Sequence, residues 1–148
     1  VMRASASIPI ASRPVKLGGK RLLDGGVSDP IPVKWMLSRG YEKNVVVLTR
    51  DVKYRKKANP KMQLFLKAVL HKYPAFLKDL EERHIHYNET LEELSALEKE
   101  GRVHIIRPSS PIQAAMIERD ESNLERIYQI GRADMKKDLE KLKAYLDS

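Results

Sequence analysis

The stretch NVVVLT, residues 44–49, contains four consecutive apolar residues from Val45 to Leu48, and three of them are β-branched. Such a run is typical of a short strand covered on both faces, as in a parallel sheet with helices packed on it. We therefore expect an α/β fold in which this stretch forms a strand covered on both faces. The segment RVHIIRP, residues 102–108, predicts a second strand.

Two signals upstream of this strand predict a hairpin and a short helix. In PVKLGGKRLLDGG, residues 14–26, the pair Gly18-Gly19 lies between two short runs that contain apolar residues. Paired glycines permit the positive φ angles of a two-residue hairpin turn, so we expect a second hairpin strand that runs into Asp24. Pro32 can then begin a short helix that ends at Gly40.

Downstream of the strand, apolar residues recur at helical spacing. This pattern predicts a helix over residues 60–70 and another that starts at Pro74. Asn88 is a candidate N-cap for a separate helix that ends at Gly101. Residues 123–146 carry apolar side chains along one stripe and charged side chains opposite, which predicts a long amphipathic helix packed on a core.

Composition narrows the class of protein. A chain of 148 residues with 42% hydrophobic residues is long enough for one domain with a core. It has no cysteine, which excludes disulfides, thiolate metal sites and thiol redox chemistry. No run reaches the roughly 20 apolar residues that a membrane span needs, and no signal-peptide pattern is present. We therefore expect a soluble, cytoplasmic protein.

The net charge of +8 is unevenly distributed. Residues 50–61, RDVKYRKKANPK, hold six Lys or Arg against one Asp. Such a basic loop could bind anionic lipid head groups or nucleic acid, although a solvated surface loop is the simpler interpretation. Nucleic acid is the less favoured ligand, because Tyr54 is the only aromatic residue in the loop. The candidate cations are Arg50, Lys53, Arg55, Lys56 and Lys57.

Other candidate sites lack essential members. His84 and His86 have no third ligand at a recognised zinc spacing, so we expect no metal, and we expect no cofactor. Serine nucleophiles need an adjacent base and an exposed elbow such as G-x-S-x-G. That motif does not occur in the chain, which weakens Ser5, Ser7 and Ser28 as candidates.

Asp24 is the strongest candidate for chemistry. The glycines after it, Gly25 and Gly26, allow backbone conformations closed to other residues and have no side chains, so another segment can approach the carboxylate closely. Their N–H groups could also fix its orientation. The alternative is structural, because Asp-Gly is a common turn dipeptide, and Asp29 before Pro30 is likewise typical of a turn.

Residues 3–33, RASASIPIASRPVKLGGKRLLDGGVSDPIPV, resemble a segment of patatin-like phospholipases in which an Ala- and Ser-rich stretch leads through a hairpin into an Asp-Gly-Gly or Asp-Gly-Ala motif. Residues 44–57 and 104–142 also resemble the bacterial branch of that family. The resemblance implies a partial three-layer α/β/α fold and a serine lipid acyl hydrolase with a Ser-Asp dyad. The motif's aspartate falls on Asp24 and its glycines on Gly25 and Gly26.

The family's nucleophile motif and its glycine-rich oxyanion loop lie upstream of this segment and are not present here. We therefore expect residues 1–148 to be the C-terminal portion of a single patatin-like catalytic domain, inactive without its N-terminal half. The expected partners are that half, a lipid or ester substrate and, peripherally, an anionic membrane. The alternative is a non-catalytic α/β module that binds anionic lipid surfaces or nucleic acid through residues 50–61.

Overall fold

The computed structural model describes residues 2–9, 11–115 and 118–148. It is a mixed α/β structure, as expected. One turn of 3-10 helix, Gly25–Val27, lies between the second strand and the second helix. In chain order the elements are α1 (Met2–Ser5), β1 (Val15–Leu17), β2 (Lys20–Leu22), α2 (Val33–Ser38), β3 (Asn44–Val47), α3 (Pro60–Leu70), α4 (Pro74–Lys99), β4 (Val103–Ile106) and α5 (Glu121–Asp147).

The chain divides into two compact units. The first unit contains the residues up to Pro32 together with Lys56–Glu89, and the second contains Val33–Arg55 together with Thr90–Ser148. None of the described helices combines the length and the apolar character that crossing a membrane requires. The single domain expected over residues 1–148 stays a prediction.

The first unit contains the predicted hairpin. β1 and β2 pair antiparallel, with Val15 opposite Leu22. Gly18 and Gly19 have φ angles of 55° and 75°, which the paired turn requires and which side chains disfavour. The hairpin is confirmed, and β2 ends two residues before Asp24.

Two helices complete the first unit. Asn59 caps α3 by accepting the Met62 N–H at 3.1 Å, and Pro60 occupies the first helical position as expected. Leu66 is buried on the inner side of α3. Glu81 on α4 pairs with Lys67 at 3.0 Å and accepts a hydrogen bond from the Gln63 side chain through its backbone carbonyl.

The predicted helix start at Asn88 is wrong, because α4 runs without a break from Pro74 to Lys99. The side chain of Asn88 accepts the Lys56 N–H at 2.8 Å and donates to the Lys56 carbonyl at 3.0 Å. It is therefore bonded to a distant backbone and does not cap its own helix. No Gly or Pro lies between residues 75 and 100 to interrupt the helix.

The second unit is built on a parallel strand pair. β3 and β4 pair in parallel, with Asn44 opposite Val103, as the apolar run predicted. The expectation that the strand is covered on both faces is wrong, because Val45 and Val47 are 41% and 69% exposed. The reason is that α5 packs against β4 rather than across β3. The buried apolar residues of this unit are Val33, Leu48, Leu94, Leu97, Val103 and Ile105.

The two helices at either end of the second unit begin and end close to the predicted residues. α2 ends at Ser38, and Gly40 follows with a φ of 85°, as expected for a C-terminal glycine. α5 begins after Asp120, whose side chain accepts the N–H of Ser122 at 2.9 Å. No residue of α5 is fully buried, so its apolar stripe is only partly covered by the described residues.

Candidate active site

Asp24 lies where β2 gives way to the 3-10 turn, and its own side chain caps that turn. The Gly26 N–H donates to Asp24 Oδ1 at 2.8 Å. The Asp24 N–H donates to the Ser7 carbonyl at 2.9 Å, which fixes the backbone at the base of the side chain. The carboxylate therefore has a set orientation, and it is half-buried.

The two glycines after Asp24 differ in what surrounds them. Neither has a positive φ, so neither uses a left-handed conformation that favours glycine. A Cβ atom at Gly26 would lie 3.3 Å from Asp24 Oδ1, whereas a Cβ at Gly25 would meet nothing within 4 Å. A side chain at Gly26 would therefore crowd the carboxylate, whereas one at Gly25 would not.

Two residues outside the Asp-Gly-Gly motif, Arg83 and Ser7, hold the turn in place. Arg83, on α4, donates from Nε to the Gly26 carbonyl at 2.8 Å. Ser7 is 5% exposed, and its hydroxyl donates to the Arg3 carbonyl at 2.7 Å. The Ser7 hydroxyl is therefore bonded to the backbone of Arg3, and the Ser7 carbonyl is the group that holds the backbone of Asp24. No motif or spacing pointed to Arg83, which lies 57 residues from Gly26.

Asp24 opens into a cleft of about 530 Å³ within the first unit. It is the only acidic side chain among the described residues that line the cleft, and no described residue donates a hydrogen bond to its Oδ2. Arg21 donates to the Tyr73 hydroxyl at 2.6 Å in the wall. The lining is mostly apolar: Pro9, Ser12, Pro14, Arg21, Leu22, Leu23, Asp24, Gly25, Val27, Ser28, Val69, Leu70, Tyr73 and Phe76.

Asp29 has the turn role that the sequence predicted. Its N–H donates to the Gly25 carbonyl at 2.9 Å, and the residue is exposed. It does not line the cleft. The two aspartates thus have different surroundings. Asp24 lines the cleft, whereas Asp29 is exposed to solvent.

The basic segment 50–61 is divided between the two units, and several of its cations contact their own unit. In the second unit Arg50 donates to the Ile112 carbonyl at 3.2 Å, and Arg55 donates to two nearby backbone carbonyls. In the first unit the ammonium of Lys56 lies 5.7 Å from the centre of the Tyr87 ring. Lys53 and Lys57 are exposed.

The two histidines His84 and His86 lie on α4 and contact their own helix. The Nδ1 atom of His84 is 2.9 Å from the Glu81 carbonyl oxygen. His86 lies between Glu82 and Glu89, at 3.6 and 3.2 Å. Among the described residues no group of three or more His, Asp or Glu has a geometry that could hold a metal ion.

A further histidine-carboxylate pair, which the sequence did not reveal, lies in the second unit. His104 Nε2 is 2.5 Å from Asp138 Oδ2, and the His104 ring stacks on Tyr145 at 5.4 Å. The Tyr145 hydroxyl accepts the Asn44 N–H at 2.8 Å and donates to the Arg102 carbonyl at 3.0 Å. The cluster fastens α5 to the start of the strand pair.

A comparison with protein-family models matches residues 73–147 to the family described as Domain of unknown function (DUF6363), which covers just over half of the chain. The chain belongs to the DUF6363 family. A second model, Patatin-like phospholipase, matches residues 1–37, which include Asp24, Gly25 and Gly26. Neither the curated proteins nor the solved structures gave a significant match.

The two matches restrict the predicted resemblance to patatin-like phospholipases to the first part of the chain. The patatin-like character is confirmed for residues 1–37. The expected patatin-like stretch at 104–142 falls inside the DUF6363 match, so the comparisons assign it to a different family, whose description names no activity. Residues 38–72, which include β3 and α3, lie outside both matches.

Proposed function

We propose that this chain contributes Asp24 as the general base of a lipid acyl hydrolase with a Ser-Asp dyad. The observation that carries the proposal is the position of the carboxylate. One oxygen is fixed by the Gly26 N–H, the other accepts no hydrogen bond from a described residue, and Asp24 lines a largely apolar cleft. The patatin-like match over residues 1–37 supports the reaction class, because Asp24 falls within it. An apolar cleft also suits an acyl chain.

In the proposed reaction Asp24 carries one proton twice. A serine hydroxyl gives its proton to Asp24 as its oxygen attacks the ester carbonyl carbon, and the protonated Asp24 returns the proton to the alcohol oxygen as that bond breaks. The acyl group is then bound to the serine. Water next gives a proton to Asp24 and attacks the acyl carbonyl, and that proton passes to the serine oxygen as the acid leaves.

The proposal requires a serine nucleophile and oxyanion donors from outside residues 1–148, since G-x-S-x-G does not occur in them. Losing oxyanion donors alone lowers the rate about 100- to 1000-fold, and losing the nucleophile removes the covalent route. We therefore expect residues 1–148 by themselves to hydrolyse no p-nitrophenyl ester above the uncatalysed rate.

The decisive experiment compares Asp24→Asn with Asp29→Asn in a protein that contains residues 1–148 together with the nucleophile-bearing part. We expect Asp24→Asn to lower kcat for p-nitrophenyl ester hydrolysis about 100- to 10,000-fold, because the amide cannot accept the serine proton. The exposed turn residue Asp29 is the matched control and should leave kcat unchanged. Full activity of Asp24→Asn, with an unchanged thermal melt, would contradict the proposal.

The alternative function is binding of anionic lipid or nucleic acid by residues 50–61. The exposed Lys53 and Lys57 favour it, whereas Arg50 and Arg55 already donate to backbone carbonyls of their own unit and so have fewer N–H groups left for a ligand. Binding to anionic vesicles and to a single-stranded oligonucleotide, each measured over a range of salt concentrations, separates the two ligands. A flat salt response would argue against both.

A further inference from the structure

The outer face of α3 exposes large apolar side chains. Leu64 is 72% exposed and the neighbouring Phe65 is 49% exposed, while Met62 and Val69, at 50% and 48%, lie at the edge of this face nearer to Leu66. Leu66, by contrast, is buried at 7% on the side that packs within the first unit. A single exposed apolar residue is ordinary, but four on one short helix form a patch of the kind that marks an interaction site.

The same region is strongly basic. Residues 52–78 contain eight Lys or Arg and no Asp or Glu. Lys61 precedes Leu64 and Phe65 by three and four residues, so it shares their face of the helix. Three of the lysines, Lys57, Lys61 and Lys72, form no ion pair with any described residue. Lysines without an ion pair to any described residue therefore lie just before, on and just after the helix that carries the exposed apolar side chains.

We propose that the outer face of α3, with Lys57, Lys61 and Lys72 around it, docks the protein on an anionic phospholipid surface. An interfacial helix buries its apolar side chains at the boundary of the acyl chains, and neighbouring lysines extend to the phosphates. Anionic lipid attracts such lysines. A protein partner is the weaker choice, because lysine is depleted in protein–protein interfaces.

The position of α3 gives this docking a consequence for the cleft. Val69 belongs to the exposed face and also lines the cleft that contains Asp24. A docked α3 would bring that side of the cleft to the lipid surface. The docking itself does not rest on the role of Asp24, so its test uses binding and not hydrolysis.

The test is sedimentation of the protein with vesicles of phosphatidylcholine alone and of equimolar phosphatidylcholine and phosphatidylglycerol. We expect binding to the anionic vesicles and at least about a tenfold loss of partition coefficient in Leu64→Ser/Phe65→Ser, because each side chain leaves water when it inserts. The matched control is Leu124→Ser/Tyr128→Ser on α5, whose residues are 46% and 58% exposed and should not matter.

A second pair of double variants tests the electrostatic contribution to vesicle binding. Lys57→Glu/Lys61→Glu should lower binding to anionic vesicles only, while Arg132→Glu/Lys136→Glu, which changes the net charge equally, should lower it less. Because the chain has no cysteine, an environment-sensitive dye on Leu64→Cys can report insertion directly. Its emission should shift to the blue on anionic vesicles, and the same dye on Tyr128→Cys should not shift.

Several results would overturn the proposal. They are equal binding of the wild type and Leu64→Ser/Phe65→Ser, equal binding to neutral and anionic vesicles, and an equal loss in the α5 control. No vesicle binding, combined with a change in oligomeric state on Leu64→Ser/Phe65→Ser, would identify the face as a contact between copies of the chain instead. Both substituted residues are exposed, and a circular dichroism melt verifies that each variant folds.

Discussion

Asp24 and Asp138 are two carboxylates in contrasting surroundings. The carboxylate of Asp24 receives one backbone hydrogen bond, and Asp24 lines the cleft of the first unit. Asp138 is bonded to His104, which stacks on Tyr145 between α5 and the strands of the second unit. By residue type alone, the histidine-carboxylate pair looks more like catalytic machinery than a lone aspartate does.

The surroundings of the two carboxylates favour Asp24, and not the histidine-carboxylate pair, as the candidate for chemistry. The hydroxyl in the His104 cluster belongs to Tyr145 and is already bonded to the backbone of Asn44 and Arg102. The cluster thus joins elements together, while Asp24 has an oxygen without a donor among the described residues and space in front of it. A candidate site is therefore better identified by unused hydrogen-bonding capacity in a cleft than by the types of residue present.

After Asp24→Asn, the largest effect that would test this contrast is expected at Gly26. In a protein that also contains the nucleophile, Gly26→Ala should lower ester hydrolysis on the order of 10- to 100-fold, because its Cβ would crowd Asp24 Oδ1 at 3.3 Å and displace the carboxylate. Gly25→Ala is the matched control, since its Cβ would meet nothing within 4 Å. Equal rates for the two variants would mean that the carboxylate's position does not matter.

At Asp138 we expect a loss of stability without a loss of ester hydrolysis. Asp138→Asn should lower the free energy of unfolding by about 1–2 kcal/mol, because it weakens a partly buried hydrogen bond that holds α5 to β4, and it should leave ester hydrolysis unchanged. Urea denaturation of the wild type and the variant measures the difference. A loss of hydrolysis with unchanged stability would instead give Asp138 a role in chemistry.

The local parts of the fold could be predicted from the sequence because their causes are local. Gly18-Gly19 specifies its hairpin, and the run from Val45 to Leu48 specifies a strand. The exposure of Val45 and Val47 could not be predicted, because it depends on where α5 packs. Asn88 shows the same limit, since its cap signal is local and its actual partner, the Lys56 backbone, is 32 residues away.

In the candidate site, too, local contacts could be predicted from the sequence and long-range contacts could not. Asp24 was found from its motif, and the Gly26 N–H bond to its carboxylate is a contact two residues long. Arg83 and Tyr73 reach the turn and the cleft from more than 50 residues away, so no spacing in the sequence reveals them. The physical reason is that tertiary packing, not local propensity, brings α3 and α4 to the cleft.

The smallest expected effect concerns acid and three carboxylates in and just before α5. Backbone and side-chain donors around Glu118, from Asp120, Asn123 and Arg119, lower its pKa to about 2. Hydrogen bonds from Ser122 lower the pKa of Asp120, and the Ser109 N–H lowers that of Asp134. A carboxylate whose pKa is lower in the folded state stabilises that state above its unfolded pKa.

That contribution is lost as the pH falls from about 4.5 towards 2, the range set by the two pKa values of Glu118. We therefore expect the urea midpoint to fall between pH 7 and pH 3, and the Arg119 and Asp120 amides, which donate to Glu118, to lose protection against hydrogen exchange. Glu118→Gln should show a smaller fall, because the amide does not titrate, whereas Glu121→Gln should behave like the wild type. An identical fall in both variants would show that the acid sensitivity arises outside the start of α5.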